Sequence, residues 1–203
     1  MGGAHVFPGG TVDDEDRSTV AAATVLDDDG ELRPWRAAAL RELVEETGIW
    51  LVRPGDRVPA TRSSGPDVYR ALAALGSRLD GTALAFFSHW VTPAGLVRRF
   101  DTRFFLAAIG PAASGSADGT EVTSSLWIRP EEALARSDAG AWDVPFPTRQ
   151  HLEMLAGFGR PVEATAWARS LQSIPRIEPR LTAGPAGEIG ILLPGDPGYG
   201  DRS

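Results

Sequence analysis

Glu42, Glu45 and Glu46 stand at i, i+3 and i+4, with Arg41 beside the first of them. On a helix this spacing brings all three carboxylates to one face. Like charges on so short an arc repel, each pair by roughly 0.2–0.5 kcal/mol on an isolated helix. A solvated acidic face is one relief of that repulsion. The other is a hard divalent cation, which takes several carboxylate oxygens converging on one point. A second set of charges, Arg98, Arg99, Asp101 and Arg103, lies on a segment of alternating pattern. The guanidinium fork suits phosphate oxygens, while Asp101 can equally pair with Arg99 or Arg103 as a structural ladder. A third stretch, Phe7-Pro8-Gly9-Gly10, reads as a tight turn whose bare backbone can approach a ligand or a metal. Phe7 and Trp90 are able to stack on a base or to pack in a core.

The elements that must position these groups follow from periodicity. Residues 35–47 are rich in Ala, Leu and Glu, with Pro34 before them and Gly48 after, which predicts a helix with a left-handed C-terminal cap. Leu40, Leu43, Val44 and Thr47 form its core face, opposite the glutamates. Residues 11–34 are acidic and irregular, with a short helix at 18–25. The spacing of Leu72, Leu75 and Leu79 predicts an amphipathic helix over 68–79, read as a second insertion or lid. Strands are expected at 85–92, 97–109 and 121–128. Helices are expected at 130–137, 148–158 and 162–171, and a final hairpin at 174–181 and 188–193. His89 reads as a core histidine, and His5 lies next to the Gly-Gly turn.

Composition removes several classes of chemistry. The chain has 203 residues, a size for one domain, here 1–203, and no Cys. Disulfides, thiolate zinc sites and cysteine nucleophiles are therefore excluded. Every one of the 20 basic residues is Arg, which excludes a Walker-type phosphate loop and any lysine base. A net charge of −7 argues against a generic nucleic-acid surface, and no sequence-specific nucleic acid is expected. No apolar run approaches the ~18 residues of a membrane span.

Taken together, Phe7-Pro8-Gly9-Gly10 and Arg41-Glu42-Leu43-Val44-Glu45-Glu46-Thr47-Gly48-Ile49 resemble the Nudix box. The family pattern is Gly-x5-Glu-x7-Arg-Glu-U-x-Glu-Glu-x-Gly-U, U being a bulky aliphatic. The second half matches from Arg41 to Ile49. In the first half Asp16 stands where the pattern has Glu, and 24 residues instead of seven separate it from Arg41. The segment Trp90-x-Thr92-Pro93…Arg98-Arg99-Phe100-Asp101-Thr102-Arg103-Phe104-Phe105, with Leu193-Pro194-Gly195-Asp196, resembles one branch of the superfamily, the peroxisomal coenzyme A diphosphatases and their bacterial relatives.

The resemblance implies an α+β fold, an α/β/α sandwich with a mixed sheet between helices. Insertions are expected at about 17–34 and 53–82, and a helical and hairpin extension at about 147–196. The strands that normally precede the Gly-Gly turn are expected to be missing. It further implies hydrolysis of a nucleoside diphosphate-linked metabolite with Mg²⁺ or Mn²⁺. Coenzyme A or acyl-coenzyme A would be split into phosphopantetheine and adenosine 3′,5′-bisphosphate. ADP-ribose, another ADP-linked metabolite, capped RNA, or a non-catalytic nucleotide-binding module are the alternatives. Glu45, Glu46 and Glu42 are the implied metal ligands, with the Gly10 carbonyl and, from a downstream loop, Glu121, which reads equally as an exposed strand-start glutamate. Glu42 is ligand or general base, Glu46 is both ligand and catalytic, and Arg41 orients a glutamate. Arg98, Arg99, Arg103 and Phe7 are the implied substrate contacts. The ending Asp201-Arg202-Ser203 is unlike a peroxisomal address. A bacterial, cytoplasmic protein is expected, and a homodimer is an open option.

Overall fold

The computed structural model describes residues 3–110, 117, 119, 123–183 and 189–200. The long acidic helix is its centre. This element, α2, runs Arg33–Thr47, after α1 (Thr19–Thr24) and β1 (Val25–Leu26). It starts two residues earlier than periodicity suggests. Pro34 fits inside the first turn, where a missing N–H has no intrahelical acceptor to disappoint. It stops where expected: Gly48 adopts φ 72° and its N–H donates to the Val44 carbonyl at 2.8 Å. Leu40 and Val44 are fully buried. They pack with Ala21, Val25, Val68, Tyr69, Leu72 and Leu79 into one core.

That list places the helix read as a second insertion or lid within the core itself. α3 (Asp67–Leu75) supplies Val68, Tyr69 and Leu72 to the same core as α2. It is also shorter than the leucine spacing suggests, because Gly76 takes φ 67° and caps it. Leu79, expected as its last turn, belongs instead to β2 (Leu79–Asp80), which pairs in parallel with β1. On its other side β2 is held by the 51–53 segment: Asp80 N–H donates to the Leu51 carbonyl at 2.9 Å, and Arg53 N–H to that of Arg78 at 3.0 Å.

The second sheet is mixed, in the order β4-β3-β5. β3 (Ala85–Val91) is antiparallel to β4 (Asp101–Leu106) and parallel to β5 (Arg176–Ile177). A shift of register between Phe86 and Ser88 breaks strict alternation, so β3 buries Phe87, Ser88, Trp90 and Val91 together. β4 is shorter than the expected 97–109. At its N-terminal approach the Thr92 N–H donates to the Phe100 carbonyl at 2.9 Å, while the Phe100 N–H goes to Thr92 Oγ1 at 2.9 Å instead of to a backbone carbonyl. Ala85, Phe87 and Ala168 form a second core with Met154 and Trp167.

Three helices follow: α4 (Pro130–Asp138), α5 (Phe146–Leu155) and α6 (Pro161–Ser170), each with Pro in its first turn. The hairpin near the end is β6 (Arg180–Ala183) with β7 (Ile189–Leu192), antiparallel. The expected strand at 121–128 is absent over its described part, 123–128, where Trp127 is 67% exposed. Without a partner strand the apolar pattern of that stretch has no ladder to join. The architecture is mixed α+β, as expected.

His151 on α5 ties the second core together. Its ring lies among Phe7, Phe87, Trp90 and Phe104, with centroids 4.3–6.4 Å away. Nε2 shares a 2.9 Å hydrogen bond with Ser88 Oγ, while Nδ1 is buried with no hydrogen-bond partner among the described residues. Burial pushes its pKa down from 6.5 to about 4. The unfolded chain therefore binds a proton that the folded chain refuses between those two pH values. Stability from this group is complete above pH 6.5 and is lost as pH falls toward 4, a change of about 3 kcal/mol. The drop in melting temperature between pH 7 and 4.5 should be smaller in His151→Phe than in the parent chain. Equal drops would contradict this.

Candidate active site

Arg41 is buried, 3% exposed, and organises the acidic face. Its Nε and Nη2 bind the two oxygens of Asp16 at 2.9 and 3.0 Å, and Nη2 also donates to the Thr11 carbonyl at 2.9 Å. Its Nη1 reaches Glu42 Oε1 at 2.8 Å and Glu45 Oε1 at 3.2 Å. Burial alone would lower the guanidinium pKa. The hydrogen bonds and charge of Asp16, with the charges of Glu42 and Glu45, outweigh that, and the net shift is upward. Arg41 is thus a buried, charged strut that holds Glu42 and Glu45 in place.

The main partner of Arg41 is Asp16. It is 2% exposed and sits six positions after Gly10. Where the box pattern has Glu, Asp16 takes the bidentate arginine bond, the Asp13 N–H at 2.8 Å and the Tyr69 hydroxyl at 2.5 Å. The long insert between Asp16 and Arg41 is closed by this ion pair, because α1 folds against α3 and returns the chain to α2.

The three glutamates meet different partners. Glu42 is buried. Burial raises its carboxyl pKa, Arg41 opposes that, and Glu45 and Asp13 add to the rise. Gly10 lies directly against it: a Cβ there would stand 2.5 Å from Glu42 Cδ and 2.9 Å from Oε2. Glu45 Oε1 takes the Gly65 N–H at 2.6 Å as well as Arg41. Glu46 Oε2 takes the Gly9 N–H at 3.2 Å. The Gly9-Gly10 segment is therefore brought onto the acid face, not as the expected tight turn but as irregular backbone after a bend at Pro8, and the missing Cβ at position 10 leaves room for the Glu42 carboxylate. Gly10→Ala is expected to push the Glu42 carboxylate aside and to lower kcat about 10–100-fold at nearly unchanged stability. Steady-state kinetics with a thermal melt checks this.

The donor chemistry fits a hard cation, since every candidate ligand is oxygen. Glu42, Glu45 and Glu46 share one face with Gly10 against it, but Arg41 and backbone N–H groups hold the carboxylates. Among the described residues no three Asp, Glu or His side chains already converge as a metal cage. Glu121 lies outside the described residues.

The arginine cluster does not act as one unit. Arg99 donates to the Thr92 carbonyl at 3.1 Å and pairs with Glu178 at 2.5 Å. Arg103 bonds Asp101 at 2.9 Å and lies 4.0 Å over the Trp35 ring of α2. Asp101 also bonds His89 at 2.7 Å. The ladder reading of these charges is what the structure shows for Arg103, while Arg99 pairs outside it. Arg98 lies 5.1 Å over the exposed Phe100 ring. Phe7 is half-buried, turned to His151 in the second core. His5 stacks on Trp142 at 3.8 Å.

Fold and site define a class, and comparison with known proteins gives the same one. The chain belongs to the Nudix superfamily. No family model matches it. A Caenorhabditis elegans protein whose name carries the words nudix hydrolase 7 is 30% identical over 166 residues, which cover 77% of this chain and 51% of that one. The human acyl-coenzyme A diphosphatase NUDT19 is 28% identical over an alignment covering 98% of this chain and 68% of the human protein. The chain thus spans about half of the first relative and two thirds of the second. The crystal structure of a NUDIX hydrolase from Alicyclobacillus acidocaldarius superposes with a TM-score of 0.66, at 28% identity and 81% coverage of both chains.

Proposed function

We propose that this chain is a divalent-metal-dependent pyrophosphohydrolase that splits coenzyme A or an acyl-coenzyme A into the phosphopantetheine and adenosine 3′,5′-bisphosphate halves. The observation that carries the reading is the acid face itself: three glutamates and the Gly9-Gly10 backbone, gathered beside one buried arginine. The alignment with an acyl-coenzyme A diphosphatase along 98% of the chain supports the substrate class.

Glu45 and Glu46 would hold the cation, with Glu42 and the Gly10 carbonyl beside them. When bound, Mg²⁺ or Mn²⁺ neutralises charge on the anhydride and lowers the pKa of a water. Glu42, held by Arg41 on the same face, is the carboxylate we assign to accept the proton of the attacking water, and burial raises its pKa. Arg41 keeps Glu42 and Glu45 oriented without touching substrate. Of the three substrate-contact arginines, Arg99 and Arg103 are drawn to Glu178 and to Asp101 and Trp35, so Arg98 is the residue we assign to a substrate phosphate. We place the protein in the cytoplasm on composition. No helix among the described residues is long and apolar enough to cross a membrane.

The involvement of two arginines in other pairs favours one second reading, an ADP-linked substrate without a 3′-phosphate, such as ADP-ribose. Rates on coenzyme A, dephospho-coenzyme A and ADP-ribose separate the two. Coenzyme A should be preferred over its dephospho form. Equal or higher rates on the other two would transfer the assignment to the second reading.

A further inference from the structure

We propose that the start of α3 is a brace for the catalytic face, with Tyr69 and Gly65 as positioning residues for Arg41 and Glu45. This rests on the reading of that face as a metal-dependent hydrolytic centre. Tyr69 is 1% exposed, and its ring is part of the core that α2 shares with α3. Its hydroxyl is not spent on a nearby backbone carbonyl. It donates to Asp16 Oδ1 at 2.5 Å, 53 residues away in sequence.

That bond completes a saturated carboxylate. Asp16 Oδ1 accepts from Tyr69 and Arg41 Nε, and Oδ2 accepts from Arg41 Nη2 and the Asp13 N–H. A carboxylate with donors on both oxygens can neither rotate nor slide, so the plane of the Arg41 guanidinium is fixed. The remaining nitrogen, Nη1, is then aimed at Glu42 and Glu45. Four residues before Tyr69, Gly65 adopts φ 54° and gives its N–H to Glu45 Oε1 at 2.6 Å. The same short segment therefore reaches the acid face twice, on two different members, by two different bonds. Val68 and Leu72, both fully buried, anchor it between those contacts and the core. A shift of α3 against α2 would disturb Arg41 and Glu45 together, while nothing in the brace itself binds substrate.

The test uses the full chain, with Mn²⁺ as the probe. Mn²⁺ affinity is measured from the free-ion electron paramagnetic resonance signal. Kinetic constants are measured on coenzyme A or, where it is turned over faster, ADP-ribose. Tyr69→Phe removes one oxygen and keeps the buried ring. Mn²⁺ affinity and kcat should each fall about tenfold, with KM unchanged. Gly65→Ala is the second variant and decides the matter if the first fails to fold. A Cβ there meets nothing within 4 Å, so it strains only its own left-handed backbone and the N–H it points at Glu45. It should weaken Mn²⁺ binding in the same direction. Folded variants with parental affinity and parental kcat overturn the brace and leave the hydrolase reading standing. A parent chain that neither binds Mn²⁺ nor cleaves an anhydride overturns the hydrolase reading, and the brace with it.

Discussion

Arg41→Ala is expected to lower unfolding free energy by about 3–5 kcal/mol, the scale of breaking a buried charge pair on one side. Asp16 is 2% exposed and would lose its bidentate partner without access to water. Glu42 and Glu45 would face each other and Asp16 with no cation between them. Part of this loss should be pH-dependent. Protonating the stranded carboxylates relieves the repulsion, so the deficit relative to the parent should shrink as pH falls toward the carboxylate range. Chemical denaturation of both chains at pH 7 and pH 5 measures it. Arg41→Lys should recover little, because an ammonium cannot reproduce the fork that spans both oxygens of Asp16 and still reaches Glu42. An Arg41→Ala chain as stable as the parent would show that the network is incidental to the fold.

Glu45→Gln and Glu46→Gln should do the reverse, leaving the fold intact and removing activity. Each change keeps side-chain volume and an acceptor oxygen for the Gly65 or Gly9 N–H. Each also removes one negative charge from an arc of like charges, which at Glu45 offsets the loss of its 3.2 Å ion pair with Arg41. Thermal stability should therefore stay within a few degrees of the parent, or rise. Turnover should fall at least about 100-fold, the loss expected when a metal-binding or proton-transferring carboxylate is neutralised. Mn²⁺ affinity should fall in parallel. Full activity in both variants would remove the metal assignment from these residues. The contrast with Arg41 separates a strut from ligands: one costs stability, the others cost chemistry.

The parts of this site legible in sequence are those whose signal is local. The helix and its Gly48 cap follow from periodicity and from one residue that tolerates positive φ. The placement of Glu42, Glu45 and Glu46 on one face follows from helical spacing. The position of Asp16, six residues after Gly10, is legible as the acidic place of the box, but its partners are not. What periodicity could not show was anything set by tertiary packing. Tyr69 reads as one more apolar position of α3, and only the fold brings its hydroxyl to Asp16. Gly65 is one glycine among many until its N–H is found on Glu45. The arginine strand misled in a different way. Alternation placed Arg99, Asp101 and Arg103 on one face, yet Trp35 and Glu178, distant in sequence, decide where the two guanidinium groups go. The strand expected at 97–109 is shorter, and the one expected at 121–128 is absent over 123–128, for a similar reason. An apolar alternating stretch becomes a strand only where a neighbour offers a ladder.

The central claim is that the face built on Arg41 is a divalent-metal centre, and a crystal of the full chain soaked in Mn²⁺ tests it most directly. Anomalous scattering should place an ion within bonding distance of Glu45 and Glu46, beside Glu42 and the Gly10 carbonyl, with at least one carboxylate turned off Arg41 or a backbone N–H to reach it. No anomalous peak at that face in crystals of a chain that hydrolyses its substrate, or a peak bound by other residues, would contradict the account.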